Sequence, residues 1–580
     1  MNHLKKPMNR RQSLVRMLAA LLFTLAAFLF FGLRYPYHIH YQEQLQMFQF
    51  GGEYFREVAS LPGGLADWCG RFLTQFFYYA WAGAAICALM LWLVQFMTWK
   101  LSGRESSLAY ALSFIPAAFC WFHLCGEHSI PGAVVALILA LAIALAVSRI
   151  QSVKTALILY PLLVPVVYLL CGGLGVAYLL AVPAVLGRRS SFKEMVPSLV
   201  SALILAVASP LVARQIFNYP LKRLLLGIHY NRYPHMVAVW MWVAAALAPL
   251  IGLVKDSSKA LYGWLCLAGM AVLCAAGVWL NSDMDKEEHM CYDFMVRYNM
   301  WNRIMMKADR KNPDKPFTVC CLNLALGQTG RMEQHQFDYF QNGPQGLLPD
   351  FIRDCTSPLP TAEAYWALGM VNTAQRYYFE AQEAIPDFQK SARCYKRLAE
   401  TNIVNEDLQV ARKYLIPLSK TLFYRKWAEG KLVEIENGSA GNSTEYSKEK
   451  ALRFRSTDFL FSEKEMDSML GKLFLENRSN RLALDYLLSY SLLGKDIPRF
   501  IECLSLYEGS PLPKPYQEAF LLYWASSHNG PEGLPGFISR DVLNNFQAFV
   551  TGMQQGQGAE QMKGRFGKTY WYYYYFRFNS

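Results

Sequence analysis

The sequence predicts an all-α protein in two parts, a polytopic helical membrane domain over residues 1–280 and a helical-repeat α-solenoid domain over residues 281–580. Three observations carry this. Nine apolar runs fill the first part, the Lys and Arg residues between them fall almost entirely on alternate loops, and the second part combines balanced charge with apolar residues at helical spacing.

The runs cover residues 14–33, 79–99, 108–124, 130–149, 156–170, 172–187, 195–213, 236–254 and 260–280. Several approach the ~20 residues that a helix needs to cross a hydrocarbon core. With the N-terminus in the cytoplasm, Lys5, Lys6, Arg10 and Arg11 lie inside. So do Lys100 with Arg104, Arg149 with Lys154, Arg188 and Arg189 with Lys193, and Lys255 with Lys259, as the positive-inside rule requires. The loops near 125–129 and 171–173 then face outside and carry neither Lys nor Arg. An odd number of spans puts everything after Leu280 outside.

The net charge of +13 resides in the membrane half, since residues 1–280 hold 21 Lys/Arg and 8 Asp/Glu while residues 281–580 hold 36 of each. That excess sets orientation and attracts anionic lipid; it is not a nucleic-acid footprint. The first run is followed by Arg34 and Tyr35 and not by a small-residue cleavage site, so it reads as a retained anchor. The thirteen cysteines form no CxxC pair, and Cys87, Cys120, Cys171, Cys266 and Cys274 lie inside apolar runs, where thiols serve as small buried groups.

Two outer loops are long enough to carry function. Residues 34–78 are aromatic throughout, and Leu45, Phe48, Tyr54, Phe55 and Val58 gather on one side of a helix interrupted by Gly51 and Gly52. Such a helix is expected to lie along the membrane surface. Pro62, Gly63 and Gly64 turn the chain back. Residues 214–235 hold Arg214, Lys222, Arg223 and Arg232, cations on the outer side that suit either lipid head groups or a phosphate. His38 and His40 share a face if their segment is extended, but no further ligands stand at zinc spacing, and no metal is expected. No motif names a cofactor.

Residues 281–580 read as a helical repeat. Tyr395, Leu398, Ala399, Asn402, Ala411 and Leu415 match tetratricopeptide (TPR) spacing, with Ala399 and Ala411 small where two helices cross closely. The pairs at 322–340 and 484–504 keep the periodicity without the signature residues, which makes the domain a degenerate, TPR-like solenoid in which each pair stacks on its neighbours. Two aromatic clusters stand out. One holds Trp366 and Tyr377 with Tyr378, Asn372 and Gln375; the other is the C-terminal KTYWYYYYFRFNS around Trp571. Runs of this kind suit an extended strand or an interface belt, and aromatic walls beside amides also suit a sugar or peptide, although packing is the first reading. Asn437-Gly-Ser and Asn442-Ser-Thr are incidental matches to the glycosylation triplet.

A cytoplasmic N-terminus, one span, a long outer loop with early acidic residues, further spans and an outer domain together resemble the architecture of the GT-C superfamily of lipid-dependent glycosyltransferases. The resemblance implies a base soon after the first span, here Glu43 in HYQEQ, joined by Glu127 and His128 in CGEHS, with the 214–235 cations holding a polyprenyl-phosphate-linked sugar. No paired carboxylates follow the first span. The stretches HYQEQLQMFQF, LPGGLADW, GPQGLLPDFIRDCTSPLPTAEAYWALGMVNTAQRYYFEAQEAIP and SARCYKRLAETNI are more specifically similar to an uncharacterised bacterial family of multipass proteins with a helical-repeat tail.

Two functional classes follow. One is GT-C-like transfer of a lipid-linked sugar at the periplasmic face of the bacterial inner membrane, with membrane lipids and the donor as partners. The other is a non-enzymatic scaffold whose solenoid recruits envelope proteins. Glu43 is the base in the first and a solvated carboxylate in the second. Transport is less well supported, because the runs are read as carrying no buried charge and show no repeated halves.

Overall fold

The computed structural model describes residues 10–228, 238–254, 260–440, 444–454, 462–528, 530 and 532–577. Every regular element among them is a helix, and no strand occurs among the described residues. The chain divides into two compact units. The first is Met1–Glu287 with two segments of the C-terminal half, Ile385–Arg393 and Pro417–Ala428; the second is Glu288–Ala384, Cys394–Ile416 and Glu429–Ser580.

The first unit runs α1 (Arg10–Leu29), α2 (Pro36–Glu43), α3 (Gly52–Ala59), α4 (Gly64–Thr74), α5 (Ala80–Ser102), α6 (Ser107–Leu112), α7 (Phe114–Leu124) and α8 (Pro131–Ser148). It continues with α9 (Val153–Cys171), α10 (Val176–Leu186), α11 (Phe192–Ile216), α12 (Leu221–Leu226), α13 (Val239–Leu250) and α14 (Ala260–Asn281). Among the described residues, seven stretches are long and apolar enough to cross a membrane: Gln12–Arg34, Ala80–Ser102, Ser107–Leu124, Pro131–Ser148, Val153–Leu186, Phe192–Ile216 and Leu261–Asn281. This is the make-up of a membrane protein.

All nine apolar runs are helical where described, but two fall short of a full crossing. α10 and α13 have 11 and 12 residues, about 16–18 Å at the helical rise, against a core of about 30 Å. α10 is the return leg of a hairpin. At Gly172, with φ 58° and ψ −145°, the backbone takes a conformation open to glycine, and the chain reverses there. Tyr160 Oη then donates to the Leu179 carbonyl at 2.7 Å and Tyr178 Oη to the Tyr160 carbonyl at 3.0 Å, tying α9 to α10.

α8 is the centre of this unit. Its Ala133, Ala136, Ala140 and Ala144 form a buried stripe at helical spacing, and small side chains let neighbouring helices approach closely where lipid supplies no hydrophobic drive. The approach is closest at its N-terminal end, where a Cβ on Gly70 of α4 would lie 2.4 Å from the Gly132 Cα.

Three sequence expectations are corrected here. The 45–58 segment is not one interrupted helix at the membrane surface: residues 44–51 are non-helical, and Leu45 and Phe48 are buried. Backbone amides freed from a helix need partners, and Met47 N donates to the Lys390 carbonyl at 2.8 Å and Phe50 N to the Lys420 carbonyl at 2.7 Å. His38 and His40 lie on a helix, where two residues are about 200° apart, so they do not share a face. Finally, a buried charge does occur within an apolar run. Arg16 is 6 % exposed, bonds the Glu105 carbonyl and lies 5.6 Å from the ring centres of Trp99 and Tyr110.

The second unit is built of short helices. Most of Ala392–Val404 and Leu408–Ser419 belongs to it; these are consecutive helices, and Glu406 in the turn between them has φ 67°. Of the residues with TPR spacing, Leu398, Ala399, Asn402, Ala411 and Leu415 are buried. The C-terminal aromatics form the helix Tyr570–Phe576 and not an extended strand. Its first turn is capped twice, Thr569 accepting from Tyr572 N at 3.2 Å and the Glu518 carboxylate accepting from Tyr570 N at 2.7 Å. Such capping outweighs the strand preference of Tyr and Trp.

Candidate functional site

The acidic residues expected to form a site sit around α2. Pro36 opens this helix, and the Glu287 carboxylate accepts the Tyr37 and His38 amides, both at 2.8 Å. A carboxylate at a helix N-terminus satisfies free N–H groups and offsets the dipole. One turn on, His38 Nε2 lies 2.9 Å from the Gly126 carbonyl, and Gln42 donates to Ser129 Oγ at 2.7 Å. Burial pushes His38 down to about 3, opposed by its bond to Gly126 and reinforced by the nearby His128. The ring is neutral at ordinary pH and fastens α2 to the CGEHS turn.

Glu43 ends α2 and is 5 % exposed. Tyr424 Oη donates to its Oε1 at 3.3 Å and reaches Oε2 at 3.5 Å. The Phe423 ring stacks on Tyr78 at 4.7 Å, and Arg393 donates to Gln44 at 3.3 Å. Beside the carboxylate is a recess of about 10 Å³, lined by Gln46, Met47, Gln75, Thr421 and Tyr424 among others. This is room for about one water. Glu127, His128 and the cations of the 214–235 loop do not line it.

The remaining expected residues stand elsewhere. Glu127 pairs with Lys286 at 3.3 Å. Arg223 pairs with Asp387 at 2.9 Å, while Arg214 and Lys222 are exposed. Arg232 lies outside the described residues. Trp366 packs under the Arg397 guanidinium, 4.6 Å from its ring centre. Tyr377 is buried between Phe351 and Tyr365, and Trp571 is fully enclosed with its indole donating to the Glu518 carbonyl at 2.8 Å. In this conformation the three aromatics fill the interior and offer no open wall.

Two charged clusters escaped sequence reasoning. Asp67 and Arg71 form a buried ion pair at 2.6 Å, and Arg71 also donates to Tyr54 Oη at 3.3 Å. The sequence signal was the four-residue spacing within LADWCGR, which puts both on one helix face. In the second unit Arg397 joins Glu363 at 2.6 Å and Glu400 at 2.8 Å, and Lys396 bonds Glu400 at 2.7 Å. Burial pushes the Glu400 carboxyl up, but Arg397 and Lys396 outweigh it and hold the group below its ordinary range. Arg397 and Glu363 are 34 positions apart, so no local pattern announces that pair. Among the described residues no three His, Cys, Asp or Glu side chains converge as a metal site.

Comparison with curated proteins and with solved structures finds no match. Residues 11–577 match the family described as "Family of unknown function (DUF6057)", a span that takes in both the apolar helices and the helical second unit, and the chain belongs to that family.

Proposed function

We propose that this protein is a scaffold of the bacterial inner membrane, with a cytoplasmic N-terminus and a periplasmic, TPR-like helical half that recruits envelope proteins. The observation that carries the reading is that three of the groups expected to act in sugar transfer are engaged in separate contacts, Glu43 with Tyr424, Glu127 with Lys286 and Arg223 with Asp387. A general base must come within hydrogen-bond reach of the proton it removes. The recess beside Glu43 has room for about one water, which supports the scaffold reading over transfer to a glycosyl acceptor there. The buried hairpin of Ala392–Val404 and Leu408–Ser419 supports a repeat architecture, in which stacked pairs present extended binding surfaces.

Glu43→Gln separates scaffold from transferase, because it keeps shape and the Tyr424 contact while removing the base. The scaffold reading expects envelope glycans, profiled by mass spectrometry, to be unchanged at equal protein level. Loss of a defined glycan with normal protein abundance would establish the transferase instead. A photo-crosslinking residue at exposed Phe537 tests recruitment directly, and absence of any discrete cross-linked partner there and at Tyr523 counts against the scaffold.

A further inference from the structure

The small recess beside Glu43 collects oxygen atoms from four places in the first unit. Glu43 ends α2, Gln46 follows in the non-helical stretch 44–51, and Gln75 opens the 3-10 turn Gln75–Tyr78 after α4. Thr421 and Tyr424 come from the segment Pro417–Ala428. These five are the polar side chains of the lining, and no Lys, Arg or His stands among its residues. Arg393 donates to Gln44 at 3.3 Å and does not line the recess.

Three of the five have committed protons. Thr421 Oγ1 donates to the Leu418 carbonyl at 2.7 Å, and Tyr424 Oη donates to Glu43 at 3.3 Å. Gln75 Nε2 donates to the Phe72 carbonyl at 2.9 Å, which fixes its amide and makes Oε1 the free end. Gln46 Oε1 and Gln75 Oε1 are both buried without a hydrogen-bond partner, in residues only 2 % and 5 % exposed. A buried acceptor without a donor is costly, and two of them on one recess beside a carboxylate call for a bound water or ion.

The chemistry of the lining favours an ion. A water has two protons to give, fewer than the acceptors gathered here, whereas a cation is drawn to all of them. Carboxylate, amide and hydroxyl oxygens are ligands for hard cations. Room for about one water admits a bare ion but not one that keeps its water shell, as magnesium does. One carboxylate among neutral oxygens balances a single positive charge, while tight calcium sites gather several carboxylates. Amide oxygens replace the hydration shell of a monovalent ion in the same way as backbone carbonyls do.

We propose that this recess is a site for a dehydrated monovalent metal cation, sodium or potassium, held by Glu43, Gln46, Gln75, Thr421 and Tyr424. The ion would fasten the Pro417–Ala428 segment to the stretch between α2 and α5. The inference goes beyond the scaffold reading and does not rest on it, since binding is read on the purified chain with neither partner nor glycan present.

The test follows the thermal midpoint of the full chain in detergent as choline is replaced by sodium or by potassium at constant chloride. At least one of the two ions should raise the midpoint along a saturable curve, and the comparison identifies which. Glu43→Gln should weaken the apparent affinity about ten-fold or more, because ligand charge sets cation affinity. Gln46→Met and Gln75→Met, which keep bulk and lose the amide oxygen, should weaken it as well. Gln46→Glu supplies a second carboxylate and should transfer the preference to calcium, a gain that does not depend on how the other variants fold. No saturable response to either ion, or the same response in wild type, Glu43→Gln and Gln46→Met, would reduce the recess to a water site. A stronger response of the wild type to calcium than to either monovalent ion would overturn the charge assignment.

Discussion

Glu43 shows how little a side chain's chemical type decides on its own. A carboxylate in a polar outer loop is competent as a base, yet here it is enclosed and accepts from Tyr424, 381 positions away. Arg71 is similar: buried with Asp67, it is part of a pair whose disruption would leave an uncompensated charge. A sharper test lies at Asp485, 4 % exposed, whose carboxyl is pushed up to about 7 by burial and by the nearby Glu333, against the pull of Arg481. The folded state therefore keeps this proton over a range in which the unfolded chain, near 3.9, has released it. By linkage its contribution to stability falls as pH rises from about 4 to about 7, and is level above. Asp485→Asn should accordingly raise stability at pH 8 by on the order of 2 kcal/mol and change little at pH 4. Thermal midpoints of the two proteins at the two pH values decide it, and an equal shift at both would contradict a titration effect.

At the scale of elements, local preference prevails where its hydrogen bonds are local and yields where a distant partner intervenes. Where described, the nine apolar runs are helical because each helix satisfies its own backbone. The segment 44–51 did not, because Gly51 and Gly52 interrupt it and carbonyls of Lys390 and Lys420 take its amides. Tyr570–Phe576 is helical because Thr569 and Glu518 cap it. Close packing of α4 on α8 depends on two glycines. Gly70→Ala would drive a methyl to 2.4 Å from Gly132 and should destabilise the protein by about 1–3 kcal/mol through overpacking. Gly52→Ala, with nothing within 4 Å of its new Cβ, is the control. Heat-induced unfolding in detergent should separate the two, and equal midpoints would argue against the tight contact.

For the whole molecule, charge distribution bears on orientation. The excess of thirteen positive charges lies within residues 1–280, and the topology proposed from it by the positive-inside rule has the chain after Leu280 outside the cytoplasm. A reporter active only in the cytoplasm, fused after Ser580, should be silent, while the same reporter after Lys193 should be active. The reverse pattern would invert the proposed topology. The short legs α10 and α13 do not alter this expectation if each still reaches the far interface with its flanking residues.

Membrane character and helical class were determined by the sequence alone. These rest on apolar length and on i, i+3 and i+4 spacing, properties of neighbours along the chain. What only the tertiary structure decided is which charged groups are occupied. The partners of Glu43, Arg223 and Arg397 lie 381, 164 and 34 positions away. Helix formation is local and burial of an apolar face is non-specific, so both can be read from the sequence; the pairing of charges needs atoms placed within a few ångströms, and that placement comes from packing.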